Sequence, residues 1–331
     1  MAISSCTISE NTAANAGQGG GVFVSYGTVT ITSSSIYGHL AQSDGQGGGV
    51  FVQGGTVAIS SCTISGNTAN SGGGVRIDGG TVTFSACIIT GNRATGGWSS
   101  GGGVFVGDGT VAFSSCTISG NTADWGPNVR VGGGAVCSWA TSLTGVYDYG
   151  GTVVSACPAP PPQPSSPPPL PPHLPQTQVS TDSGLTSALA NTAVAHIVLA
   201  PGTYNLTAEL SITRSVILEA AVAGSVVLNA QASSSSQRRV LNINPGSSGV
   251  VQLIRLSITG GYASSGGGVF VQGGTVAISS CTISGNTATY VRAHVPIALM
   301  GRLLTCLPRL SLAQLRLTLL STTVGMRRRG L

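Results

Sequence analysis

The sequence predicts an all-β fold, a solenoid of short parallel strands. Three observations carry that prediction. Residues 47–69 read GGGVFVQGGTVAISSCTISGNTA, and residues 266–288 repeat the same letters. Looser copies begin at Gly19, Gly72 and Gly101. Within each copy a body of fixed length alternates with one elastic loop, as when units stack on one another. Apolar residues also alternate with others in Val50-Phe51-Val52, Thr56-Val57-Ala58-Ile59-Ser60 and Cys62-Thr63-Ile64. That period of two marks strands.

Each unit is read as three short strands. Arg76 replaces Phe51 in the third copy, so that position is expected to face water. Val50, Val52, Val57, Ile59, Cys62 and Ile64 are expected inside. Cys6, Cys62, Cys87, Cys116 and Cys281 share one repeat position with Ser34, which predicts a buried column of small side chains. Asn11, His39, Asn67, Asn92 and Asn121 form a second column at a turn, where stacked amides can bond along the axis and Asn tolerates left-handed backbone. His39 is read there as a substitute for Asn.

GGGVFV, GTVAI and CTISGNTA resemble the repeats of right-handed, single-stranded parallel β-helix proteins of the pectin lyase-like superfamily. They resemble more loosely the repeats of chlamydial polymorphic outer-membrane proteins. The resemblance covers roughly residues 1–157 and 177–290. It implies the fold, which hosts lyases, hydrolases, adhesins and inert surface proteins alike.

Two β-helix segments joined by a Pro-rich linker are expected. Residues 1–157 read as the end of one coil, without an N-terminal cap. Met1 runs directly into Ile3-Ser4-Ser5-Cys6, the middle of a unit, so either the start is missing or something covers that edge; a chain incomplete at its N-terminus is the preferred reading. Residues 158–176 are Pro-rich and read as a disordered polyproline II spacer. Such spacers resemble those of extracellular matrix and algal wall glycoproteins. Residues 177–290 read as the head of a second coil. Val179 is expected to start a strand, and Asp182-Ser183 to cap a helix burying Leu185, Ala188 and Leu189. The turn Ala200-Pro201-Gly202-Thr203-Tyr204 resembles the N-terminal cap of pectin lyase-like proteins. Residues 291–331 form a Leu/Arg-rich tail. Arg302, Arg309 and Arg316 are spaced for a basic helix on a membrane surface, but Pro308 interrupts it, so membrane contact is not expected.

The chain has 331 residues, a formal charge of +5 and no Lys. Seven of its 14 basic residues fall in the tail, which leaves a near-neutral body without a basic face for nucleic acid. No cofactor or metal is expected, since Cys/His metal spacing is missing. No signal peptide is visible, which says little about location if the start is missing; an extracellular or cell-surface protein is expected, and the sequon at Asn205 is usable only if the chain is secreted. Cys137 and Cys157 flank a degenerate last unit and are a candidate disulfide.

The elastic loop is the natural place for function. One copy holds Arg93 and Trp98, and the next holds Asp124, Trp125 and Arg130; Asp44 lies in an earlier copy. Stacking would gather them on one side. Trp faces with Arg and Asp beside them suit a polysaccharide or cell-wall glycan. Asp78 and Asp108 sit at one inter-strand turn of adjacent units and are a candidate carboxylate pair. Ser25 and Gln53 occupy the Asp78 position elsewhere, which favours a tolerant polar turn. The Asn-Thr-Asp, Asp-Asp and Arg-x-Lys motifs of polygalacturonases do not occur. The sequence therefore points to a non-catalytic, loop-displaying protein. The alternative is a polysaccharide lyase or glycoside hydrolase of the same superfamily, incomplete in this chain.

Overall fold

The computed structural model describes residues 1–15, 17–139, 141, 144–154 and 176–289. The Pro-rich stretch, Cys157 and the tail from residue 290 lie outside the described residues. Every ladder between named strands is parallel, and the strands stack as a solenoid.

One turn shows how sequence makes the coil. Residues 47–69 supply four strands, not three: Val50–Val52, Thr56–Ser60, Thr63–Ser65 and Thr68–Ala69. The fourth has two residues, too few for alternation to reveal it. These four strands define four walls. In the next turn Val75 pairs with Val50, Thr81 with Thr56, Ile88 with Thr63 and Arg93 with Thr68. Register is kept because a slip of one residue would turn every Val outward. Val50, Val52, Val57, Ile59, Cys62 and Ile64 all lie inside, at 2 % exposure or less.

Phe51 departs from expectation. It is 1 % exposed, although its side chain points out of the coil and away from the interior cluster. Phe23 on the adjoining turn stacks on it, with ring centroids 5.5 Å apart. Outward residues of this wall cover one another, so an Arg in the column does not imply that every member meets water.

Two backbone corners recur. The residue before each Cys-column position is left-handed: Ser5, Ser33, Ser61, Ala86, Ser115 and Ser280 have φ between 48° and 53°. The residue before each Asn is left-handed too, usually Gly, as at Gly66 (φ 63°). The Asn itself is not, contrary to expectation. Its work is done by its side chain. Asn67 Nδ2 donates to Asn92 Oδ1 (2.9 Å), and Asn92 Nδ2 to Asn121 Oδ1 (3.0 Å). Each amide also donates inward to a carbonyl one turn away, as Asn92 does to Ile64 (2.9 Å). This satisfies buried backbone that the turn would otherwise leave unpaired.

His39 continues that ladder at 1 % exposure. Its Nδ1 accepts from the Asn11 N–H (3.1 Å), so Nε2 carries the proton and donates to the Ile8 carbonyl (3.0 Å). The ring is held neutral, and burial lowers its pKa to about 4. The Cys column is likewise structural. Cys62 Sγ donates to the Ser60 carbonyl (3.1 Å), and burial pushes its thiol pKa up.

The two stretches expected as separate coils form one stack. The twelve-stranded wall runs from Thr152–Val154 at one end, through Ala2–Ser4 and Thr275–Ser279, to Gln176–Val179 at the other. Ala2 pairs with Ala277 on one side and Thr30 on the other. Thr7 likewise pairs with Thr282 and Thr12 with Thr287, so the chain's later residues adjoin its first three strands.

The helix Asp182–Ala190 packs at the far end and sends Leu185 into the interior cluster. Its N-cap is Thr181, whose Oγ1 accepts from the Gly184 N–H (3.0 Å), with Asp182 in the first turn. Val179 ends a strand instead of starting one. Arg214 ties the helix to the coil by donating to the carbonyls of Ala188, Leu189 and Val194. Tyr204 donates to the Val179 carbonyl (2.8 Å).

Candidate binding site

The elastic loops stack along one corner, through bridges from Gln18 to Gln46, Ser71, Ser100 and Trp125. At the last two positions the loops lock together. The Ser99 N–H donates to Asp124 Oδ2 and the Asp124 N–H donates to Ser99 Oγ, both at 3.1 Å. The Trp125 N–H donates to the Ser99 carbonyl (3.0 Å). Trp98 adopts a left-handed φ of 73°, unusual for a bulky residue, and its ring is 80 % exposed.

These constraints align the rings. Trp98 and Trp125 stack with centroids 6.3 Å apart and planes 2° apart, and Tyr147 follows at 5.0 Å from Trp125. Arg130 lies at the Tyr147 edge of this strip. Its Nη1 donates to Ser100 Oγ (2.7 Å), and its guanidinium sits 5.6–5.8 Å from the rings of Phe105, Tyr147 and Tyr149. Of the five residues singled out, Trp98 and Trp125 stack, Asp124 bonds to Ser99 beside Trp98, and Arg130 reaches the strip only through Tyr147 and Ser100. Arg93 is exposed in the short strand Arg93–Ala94; among the described residues no hydrogen bond, ion pair or ring contact joins it to the Trp pair. Asp44, farther along the stack, accepts from Asn70 Nδ2 (3.3 Å).

Tyr147 and Tyr149 escaped the sequence reading because the last unit is degenerate. A signal was present: Val146-Tyr147-Asp148 continues the aliphatic–x pattern of Val129-Arg130-Val131, with Tyr147 in register with Arg130.

The carboxylate pair has other partners. Asp78 Oδ1 is ion-paired with Arg76 Nε at 2.8 Å, and Asp108 Oδ1 accepts from the Gly109 N–H at 2.7 Å. The two turns are in register, Ile77 pairing with Val106 and Thr81 with Thr110, so Asp78 falls level with Gly107 and Asp108 with Gly79, one place apart. Cys137 is disulfide-bonded, while Cys157, its expected partner, lies outside the described residues. Asn205 is exposed in the strand Gly202–Asn205.

A concavity of about 530 Å³, not expected from the sequence, lies between Glu209, Ser236, Arg239 and Ser264. Its arginines are engaged, Arg238 donating to the carbonyls of Leu206 and Ala230. Arg239 pairs with Glu209 (3.3 Å) and lies 4.6 Å over Phe270. Among the described residues no group of three or more His, Cys, Asp or Glu is placed to hold a metal ion, and no helix is long and apolar enough to cross a membrane.

Residues 20–141 match the family model described as the right handed beta helix region. No curated protein and no solved structure matches the chain. The matched stretch spans the turns whose parallel stacking is described above, and the later residues continue the same walls. The chain is a right-handed parallel β-helix repeat protein.

Proposed function

We propose that this coil is a non-catalytic extracellular or cell-surface scaffold that binds polysaccharide along the Trp98–Trp125–Tyr147 strip. The carrying observation is the parallel Trp pair with one ring 80 % exposed. An indole face held open to water suits the apolar face of a pyranose. Asp124, exposed beside the pair, can accept from sugar hydroxyls, and Arg130 at the edge can donate to hydroxyls or uronate carboxylates. The interlocked loops pre-organise the rings, which lowers the entropic cost of binding.

The competing reading is a polysaccharide lyase or glycoside hydrolase of the pectin lyase-like superfamily. It finds less support, because Asp78 and Asp108 are each engaged elsewhere. A glycan array followed by titration tests the proposal. Binding that drops in both Trp98→Ala and Trp125→Ala supports it; a blank array removes it. Release of ultraviolet-absorbing unsaturated product from polygalacturonate or alginate would favour the enzyme.

A further inference from the structure

The stacked loops differ in length, and the difference cuts a notch beside Trp98. Five residues lie between the short strand ending at Ala41 and the triplet at Gly47, and six between Ala94 and Gly101. Between Ala69 and Gly72 the same connection has only two, Asn70 and Ser71. Bridges from Gln46 to Ser71 and from Ser71 to Ser100 hold the three loops in that order. Two long loops therefore stand on either side of a short one, two strand spacings or roughly 9.6 Å apart.

The notch has two walls and a floor. One wall is Trp98. Trp125 belongs to the following turn, so the other face of the Trp98 indole looks back over the short loop. That face is open: the residue is 80 % exposed, and a Cβ on the adjacent Gly97 would meet nothing within 4 Å. The opposite wall is the loop of Asp44, itself exposed. Asn70 is the floor. Its Nδ2 donates to Asp44 Oδ1 (3.3 Å) on one side, and on the other a Cβ on Gly96 would meet it at 2.9 Å. Among the described residues Asp44 is in no ion pair, and neither Asp44 Oδ2 nor Asn70 Oδ1 has a hydrogen-bond partner.

We propose that this notch is a subsite for one neutral, β-1,4-linked glucopyranose unit, its ring on Trp98 and its 2,3-diol on Asp44 and Asn70. The proposal rests on the polysaccharide reading above and names the sugar. A pyranose with every hydroxyl equatorial presents flat C–H faces, which suit an indole face. A carboxylate can accept from two neighbouring hydroxyls at once, and the 2- and 3-hydroxyls stay free in a β-1,4 chain. Asn70 fixes the carboxylate that receives them. The unpaired charge of Asp44 repels a carboxylate or sulfate on the sugar. Trp98 also keeps a left-handed φ of 73°, and backbone strain of that kind collects at binding sites.

The probes are cellohexaose and the same hexamer oxidised to a carboxylate at every C6, each titrated against the full chain by calorimetry. Cellohexaose should bind, and the oxidised hexamer at least tenfold more weakly. Asp44→Ala should cost tenfold or more in cellohexaose affinity at an unchanged melting temperature, because the side chain is exposed. Asp44→Asn removes the charge and should narrow the difference between the probes at least threefold. Asn70→Ala should weaken binding as Asp44→Ala does; the Asp44 variants decide the matter if that protein does not fold. Cellohexaose binding that is lost in Trp98→Ala but indifferent to Asp44→Ala overturns the notch and leaves the Trp strip standing. An oxidised hexamer that binds as tightly as cellohexaose overturns the neutral class. Absence of cellohexaose binding overturns the proposal outright, while another glycan bound through Trp98 and Trp125 would still uphold the wider reading.

Discussion

The side-chain amide of Asn286 donates to Oδ1 of Asn11 at 3.0 Å, although 275 residues separate them. The same junction joins Cys281 N–H to Cys6 Sγ and Thr7 N–H to the Cys281 carbonyl. In space, residues 266–288 come directly before residues 1–13. The capped head of the coil is therefore the later part of the chain, and its body is the earlier part.

This order sets a demand on the 21 residues between Val154 and Gln176. The twelve-stranded wall they must bridge spans roughly 53 Å at ~4.8 Å per step. At no more than ~3.6 Å per residue, 21 residues can span at most roughly 75 Å. Deleting ten of residues 158–175 lowers that limit to roughly 40 Å, short of the wall. Head and body should then pair between chains, and sedimentation should show dimers or longer assemblies in place of monomer.

Acid should weaken the coil through His39. Its folded pKa, lowered to about 4 by burial, lies below the ordinary value of 6.5. The neutral ring therefore contributes fully above about pH 6.5, and that contribution is lost as pH falls to about 4. The difference is on the order of 3 kcal/mol. His39→Asn restores the amide of the neighbouring turns and should flatten the stability profile between pH 6.5 and 4, measured by urea unfolding.

Trp98→Ala should leave the melting temperature nearly unchanged, because the ring is largely exposed, yet lower glycan affinity about tenfold. Arg130→Ala should cost more stability, since it removes a bond to Ser100 and contacts with three rings. Calorimetry and titration on the two variants separate these effects.

Gly49→Ala should destabilise by about 2 kcal/mol or more. Its Cβ would lie 2.7 Å from the Gly74 carbonyl and 2.9 Å from Asn67 Nδ2. Gly97→Ala, where a Cβ meets nothing within 4 Å, is the control. Urea midpoints of the two variants check the difference.

The repeated 23-residue phrase made the walls, the inward Val and Ile residues and both columns legible. Alternation and spacing are local, and they survive stacking unchanged. The short strand Thr68–Ala69 was hidden because two residues show no period. The burial of Phe51 was hidden because it depends on Phe23 in another turn. Trp98 and Trp125 were legible as partners because they lie in successive copies of one loop; Tyr147 was not, because its unit has lost the Gly triplet. The junction of Ala277 with Ala2 could not be read from order along the chain. It depends on two ends of one pattern finding each other, and any two copies of that pattern offer the same edge.

Hydrogen exchange at Thr7, Thr12 and Ala14 tests that junction most directly, because their N–H groups donate to the carbonyls of Cys281, Asn286 and Ala288. The account predicts protection equal to that of Thr63 and Thr117 in the middle of the coil, unchanged on dilution. Exchange at the rate of an open strand edge, or protection that fades as the protein is diluted, would contradict it.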